Sequence, residues 1–262
     1  MQVLATIPVH NEEIFLPLQI SYLLQQGVLI HVIDNESTDA SRAICEAMGI
    51  TVTSLDTNGA FDLTAIQQER LRIAASYEHD WHLYGDADEW NLFSGGILAG
   101  CLAAEAIGAN VIRNTSYNLF YTGEVRGTDP RRGYFYGAQR YRNLGGITRL
   151  HKRGQVTYFG DSFRGVGLIE HNPGYAAVNL NFGHTKPTNN RLNTLNRRKL
   201  AWDRGLRRGF GKFLLEIERN GGVWDSKTLT FLPETPYWSL ARQVIEPTGQ
   251  NEQTPTDEIQ PY

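Results

Sequence analysis

Cysteine and methionine are nearly absent, with two of each in 262 residues. The two cysteines, Cys45 and Cys101, lie far apart on helix-like stretches, so they read as small core hydrophobes and not as a disulfide framework. No apolar run is long enough to cross a membrane: the longest, Gly95 to Ala109, is broken by Glu105 and falls short of the ~20 residues a span needs. Met1 leads straight into the strand-like QVLATIPV without a basic segment before it. No signal peptide is therefore expected, and the chain reads as cytoplasmic. Neither G-x-x-x-x-G-K-[ST] nor G-x-G-x-x-G occurs, which argues against P-loop and dinucleotide-cofactor chemistry.

What is present is a chain able to bury a core, with 41% hydrophobic and 11% aromatic residues. Strand and helix signals alternate over the first 90 residues. Strands are expected at Val3–Val9, Val28–Ile33, Ile50–Leu55 and Trp81–Tyr84, with helices at Ile14–Gln26, Ser41–Met48 and Leu63–Tyr77 between them. A βαβαβαβ series implies a doubly wound, largely parallel sheet with right-handed crossovers. The second half is less regular. Val111–Tyr121 reads as a long strand, and Gly123–Gly146 as an Arg-, Gly- and Tyr-rich loop. Ile147–His151 and Val156–Phe159 read as short strands, and Asn190–Asn220 as interrupted helix. From Glu246 the chain is polar and proline-bearing, so 243–262 reads as an acidic disordered tail.

Three of the expected strands end in polar clusters: His10-Asn11-Glu12-Glu13, Asp34-Asn35, and Asp86-Ala87-Asp88. Any one of them suits helix capping, as Ser37, Thr38 and Asp39 do before the second helix. Three at one edge of one sheet point to a ligand, because open parallel sheets bind at the carboxyl ends of their strands. On an extended strand end, Asp86 and Asp88 would share a face and converge on one hard cation. Such a cation neutralises a diphosphate leaving group.

These strings, Ile7-Pro8-Val9-His10-Asn11-Glu12-Glu13, Val32 to Asp39 and Tyr84 to Trp90, resemble in order and spacing the family 2-type glycosyltransferases of the GT-A fold, over about the first 95 residues. The resemblance implies a Rossmann-like doubly wound mixed sheet in a single domain spanning 1–242. Within it, 1–95 form the nucleotide-binding half, 96–188 a less regular acceptor and metal half, and 189–242 C-terminal helices. It implies nucleotide contacts at Pro8, Val9, His10, Asn11, Glu13, Asp34 and Asn35, and at Asp86 and Ala87. Further nucleotide contacts are expected from Phe61, Asp62 and Arg70. Asp86, Asp88 and a late histidine, His184, would hold Mn2+ or Mg2+, and Lys186 and Arg191 would meet the diphosphate. Glycine is common in the family where Glu36 and Ala40 stand here. The Q-x-x-R-W string of processive synthases is absent.

The activity implied is non-processive, inverting transfer of a sugar from a nucleotide diphosphate sugar, a UDP-sugar by expectation, to a hydroxyl acceptor. Inversion needs a general base, and Glu170 and Asp161 are the candidates, Glu170 because apolar neighbours and His171 flank it. A nucleotidyltransferase acting on sugar phosphates and a non-catalytic sugar-nucleotide-binding module are the alternatives.

The net charge of −3 conceals a division: residues 1–125 carry −12, 126–242 carry +13, and 243–262 carry −4. The bases crowd into 126–164 and 186–212. They suit an anionic glycan acceptor, or a lipid-linked one at a membrane face; equally, Arg197, Arg198, Arg204, Arg207 and Arg208 form a solvated helix face. Nucleic acid fits poorly, with no binding motif and a pI of about 6.2.

Overall fold

The computed structural model describes residues 1–121, 135–138, 147–154, 157–159, 162–164, 169–171, 173, 177–181 and 188–206. It opens with the expected alternation: β1 (Val3–Val9), α1 (Leu16–Gln25), β2 (Leu29–Asp34), α2 (Ser41–Ala47), β3 (Thr51–Ser54), α3 (Leu63–Ala75) and β4 (Trp81–Leu83). There follow β5 (Glu89–Phe93), α4 (Ile97–Ala106), β6 (Val111–Tyr121), β7 (Phe135–Ala138), β8 (Ile147–Lys152), β9 (Thr157–Phe159), β10 (Ser162–Arg164), β11 (Glu170–His171), β12 (Ala177–Asn181) and α5 (Thr188–Asp203).

Among the described residues, ten strands share one mixed sheet, ordered β3-β2-β1-β4-β8-β6-β12-β5, with β7 and β11 pairing to β6. The β3, β2, β1 and β4 strands are parallel. β8 runs antiparallel to both β4 and β6, so β6 points the same way as β4. The chain steps outward from β1 to β2 to β3, and α3 then carries it back past both to β4. With right-handed crossovers, that reversal puts α3 on the face opposite α1 and α2, and leaves a crevice between the carboxyl ends of β1 and β4. This is the Rossmann-like doubly wound mixed sheet that the sequence implies.

Burial explains the strand patterns. β1 is buried at six of its seven positions, as expected of a central parallel strand covered on both faces. The core gathers Ile7, Leu16, Ile20, Trp81, Leu83, Leu92, Ile97 and Leu150, together with the buried thiols Cys45 and Cys101. No helix among the described residues is long and apolar enough to cross a membrane.

Several strands depart from the sequence reading, β5, β7 and β11 among them. Glu89–Phe93, whose first residues read as part of a polar loop, forms β5 at the far edge against β12. Phe135–Ala138, inside the stretch read as a loop, pairs with β6, and the two-residue β11 adds to the start of β6. β5 and β11 are short with partners remote in sequence, and β7 is a four-residue strand within a stretch of loop-like composition, so local pattern does not reveal them. The expected tail at 243–262 and the helices beyond Leu206 lie outside the described residues.

Candidate active site

The loop after β1 is laced to the loop after β2. Asn11 adopts a left-handed backbone (φ 58°), and its side-chain oxygen accepts the Thr38 N–H at 2.8 Å. Glu12 N–H donates to Ser41 Oγ at 2.7 Å, and Glu13 Oε2 accepts the Ala40 N–H at 3.0 Å. Glu13 therefore helps to cap α2, beside Asp39, whose Oδ1 accepts the Ser41 N–H at 2.9 Å. Asp34 is buried and closes the β2 turn by accepting the Ser37 N–H at 3.1 Å, with Arg42 3.7 Å away. Pro8 is half-buried, and Val9 belongs to the core.

His10 is held in one neutral form. Its Nδ1 lies 2.8 Å from the Asn35 carbonyl, an acceptor only, so Nδ1 carries the proton. Nε2 is then an acceptor, and the Asn193 side-chain amide reaches it at 3.0 Å. Burial first, and the nearby Arg197 charge second, hold the His10 pKa below its usual value.

Asn35 is buried, and its amide is fully engaged, with Nδ2 donating to Leu55 O and Thr57 Oγ1, both at 2.9 Å. Its Oδ1 accepts from Arg197 at 2.8 Å. Glu36 follows in a left-handed conformation (φ 62°), the geometry for which glycine is the usual residue. Its carboxylate turns back onto Gly59 N–H at 2.9 Å, Thr57 Oγ1 at 2.8 Å and Arg197 at 3.1 Å. Burial pushes the Glu36 pKa up, but these bonds and the Arg197 charge outweigh it and hold the carboxyl below its ordinary range.

The Asp-Ala-Asp triplet sits in a β-turn, and this corrects the expectation of an extended strand end. Glu89 N–H donates to the Asp86 carbonyl at 3.0 Å, because the chain must turn from β4 toward β5 at the far edge of the sheet. Gln19 of α1 holds the turn: its side-chain NH2 donates to Asp86 O at 3.0 Å and to Glu89 O at 2.8 Å. Ala87 is buried in the core, while Asp86 and Asp88 are half-buried. Beneath them Arg70 is 1% exposed and donates to Gly85 O at 2.8 Å and Asp86 Oδ1 at 3.0 Å. Two carboxylates in one turn, one of them with a guanidinium on a single oxygen, are a hard-oxygen donor pair suited to Mn2+ or Mg2+ completed by ligand oxygens. Among the described residues, no third acidic, histidine or cysteine side chain joins them as a closed metal cage.

Several expected residues have other placements. Asp62 is the N-cap of α3 and accepts the Ala65 N–H at 3.0 Å. Phe61 is half-buried under the Arg198 guanidinium, 5.2 Å from its ring centroid. Glu170 is not brought to this cluster. β11 pairs with Val111 and Ile112, and Val111 is in register with His151, which faces His82 early in β4. Glu170 therefore lies at the amino-terminal edge of the sheet, exposed and in a two-pronged ion pair with Arg113. Asp161, His184 and Lys186 lie outside the described residues, and Arg191 falls in α5.

Arg197 is the residue whose role the sequence conceals. Expected on a solvated helix face, it is 6% exposed and points into the loops after β2 and β3. Only the glycine common in the family at position 36 hinted that this turn needs unusual support.

No family model and no curated protein matches the chain. Solved structures with a likeness to it include TarS 1–349 of S. aureus in complex with UDP, at 17% identity and TM-score 0.40, over 58% of this chain and 47% of that one. Glucosyl-3-phosphoglycerate synthase from Mycobacterium tuberculosis, in complex with phosphoglyceric acid, is 21% identical at TM-score 0.33, over 45% of this chain and 44% of that one. The chain spans less than half the length of either.

Proposed function

We propose that this chain is a metal-dependent glycosyltransferase of the GT-A type, which takes a sugar from a nucleotide diphosphate sugar, UDP-linked by expectation, and passes it to a hydroxyl acceptor. The observation that carries the reading is the meeting of the β1, β2 and β4 loops at the point where strand order reverses, with two carboxylates on the Asp86–Glu89 turn. The resemblance of those three strings to family 2-type enzymes supports the same assignment.

On this reading, the half comprising 1–95 binds the donor. Pro8, His10 and Asn11 line the crevice from one side and Asp34 from the β2 loop, while Arg70 sets the orientation of Asp86 from below. A divalent cation at Asp86 and Asp88 would neutralise charge on the departing diphosphate. The His10 ring, held at Nδ1 by the Asn35 carbonyl and met at Nε2 by Asn193, puts a neutral aromatic face beside the crevice. The acceptor side belongs to 96–188, with Asp161 as the candidate base.

The test is incubation with radiolabelled UDP-sugars and Mn2+ or Mg2+. Release of UDP with transfer or slow hydrolysis of the sugar supports the reading. Release of pyrophosphate from a nucleoside triphosphate and a sugar phosphate would replace it with a nucleotidyltransferase. Binding without turnover, over a range of acceptors, would leave only a sugar-nucleotide-binding module.

A further inference from the structure

We infer that Arg197 of α5 is the positioning residue of the nucleotide site, a clasp that sets the shape of the β2 and β3 loops without touching the nucleotide. The inference rests on the nucleotide reading above.

The Arg197 guanidinium bonds to both of these loops. The terminal NH2 reaches Asn35 Oδ1 at 2.8 Å, Glu36 Oε2 at 3.1 Å, Ala60 O at 3.2 Å and Thr57 Oγ1 at 3.3 Å, and Nε reaches Gly59 O at 3.1 Å. A packing role would require only the aliphatic stem, which a methionine supplies equally well. The planar fork serves several acceptors at fixed angles, which an ammonium cannot do.

The clasp supports a backbone that does not favour its own conformation. Glu36 stands left-handed without being glycine, and its carboxylate is tied to the β3 loop at Gly59 and Thr57. Arg197 closes that tie. It also reaches the β1 loop through one intermediate, because Asn35 donates its N–H to Val9 O at 2.8 Å and offers its carbonyl to His10 Nδ1 at 2.8 Å. One helical turn earlier, Asn193 contacts the other nitrogen of the same ring. The helix continues the grip further along: Arg204 donates to Asn58 O at 2.9 Å, and the Arg197 carbonyl accepts the Phe61 N–H at 3.1 Å. α5 thus spans the loops of three neighbouring parallel strands.

The experiment measures UDP affinity by calorimetry with Mn2+ present, together with donor KM and kcat, in wild type, Arg197→Met, Arg197→Lys, Glu36→Gly and the double variant R197M/E36G. A positioning role predicts that R197M weakens UDP roughly tenfold or more and raises donor KM in step. kcat stays within about twofold, because no reacting atom is touched. R197K is weakened as well. In the double variant the loss is well short of the product of the two single losses, since both changes break one clasp. A melting-temperature drop with unchanged UDP affinity in the folded variant would make Arg197 merely structural and overturn the inference. Multiplying losses in the double variant would also overturn it. If R197M does not fold, R197K decides by the same affinity criterion. Wild type that binds no nucleotide sinks the functional reading and this inference with it, whereas wild-type binding with an indifferent Arg197 sinks this inference alone.

Discussion

Asp86 and Asp88 are two residues apart on one turn, and the Arg70 guanidinium is bonded to Asp86. Asp86 faces a guanidinium that is 1% exposed, and neutralising it leaves that cation with a weaker partner. Because the carboxylate is half in solvent, Asp86→Asn should cost only about 1 kcal/mol of stability, with loss of turnover. In Asp88→Asn donor binding should lose its response to Mn2+ and turnover should collapse. Urea denaturation and a Mn2+ titration of both variants separate the two roles; equal metal response in Asp88→Asn and wild type would remove Asp88 as a ligand. At this scale the sequence was informative about which residues gather and much less about what each one does. Polar residues at strand ends mark the edge, but whether Asn35 faces a ligand or Arg197 depends on a helix that begins more than 150 residues later. Glu170 is the converse case. Its sequence neighbours suggested a shielded carboxyl, and β-pairing instead put it at the opposite edge beside Arg113.

Elements were legible where both the period and the partners were local. The four parallel strands and three intervening helices each carry their own signal, whereas β5 and β11 acquire strand character only from distant partners. Helix α1 shows how a correct element can hide a functional role. Its buried face is Leu16, Gln19, Ile20, Tyr22 and Leu23, with Ile14 and Leu18 partly buried against the same core. The one polar residue on that face, Gln19, meets the Asp86–Glu89 turn, where its side-chain NH2 donates to carbonyls at the two ends of that turn. Helix and turn are therefore one mechanical unit. Gln19→Glu replaces two donors by a group that repels both carbonyls. The expected loss is about 3 kcal/mol in urea denaturation, with a raised donor KM. Gln19→Met, which lacks the donors without the repulsion, should lose less. Equal stability of Gln19→Glu and wild type would show that the turn holds without α1.

For the whole molecule, the opposition of an acidic first half and a basic second half is partly an internal attachment. Arg197 binds Glu36, and Lys152 and Arg153 pair with Glu105 and Glu78, so several of the bases visible in the sequence face acids of the other half. Titration of the fold in acid is governed by a different set of groups. Burial is the leading cause that lowers the pKa of His10, His31, His79 and His82, with His82 held furthest down among His79, Arg70 and His151. Their partners suit the neutral ring: His82 Nε2 meets Thr6 Oγ1 at 2.8 Å, and His31 lies between Tyr77 and Thr53 hydroxyls at 3.0 and 2.7 Å. As pH falls below the ordinary histidine value of about 6.5, the unfolded chain takes up protons that the folded chain does not. Stability therefore declines from about pH 6.5 downward, each histidine still neutral in the fold adding a slope of roughly 1.4 kcal/mol per pH unit until its own lowered pKa is reached. The paired carboxylates Glu36, Glu69, Glu78 and Glu105 have the same sign but titrate below the ordinary glutamate value of about 4.5, so they enter later. Melting temperature should accordingly be level from pH 8 to about 7 and fall between about 6.5 and 5, before the carboxylate region begins. His82→Gln, whose amide can still meet Thr6, should flatten that fall even if it lowers the plateau. A melting temperature that stays level down to about 4.5 and drops only there would assign acid lability to the carboxylates instead.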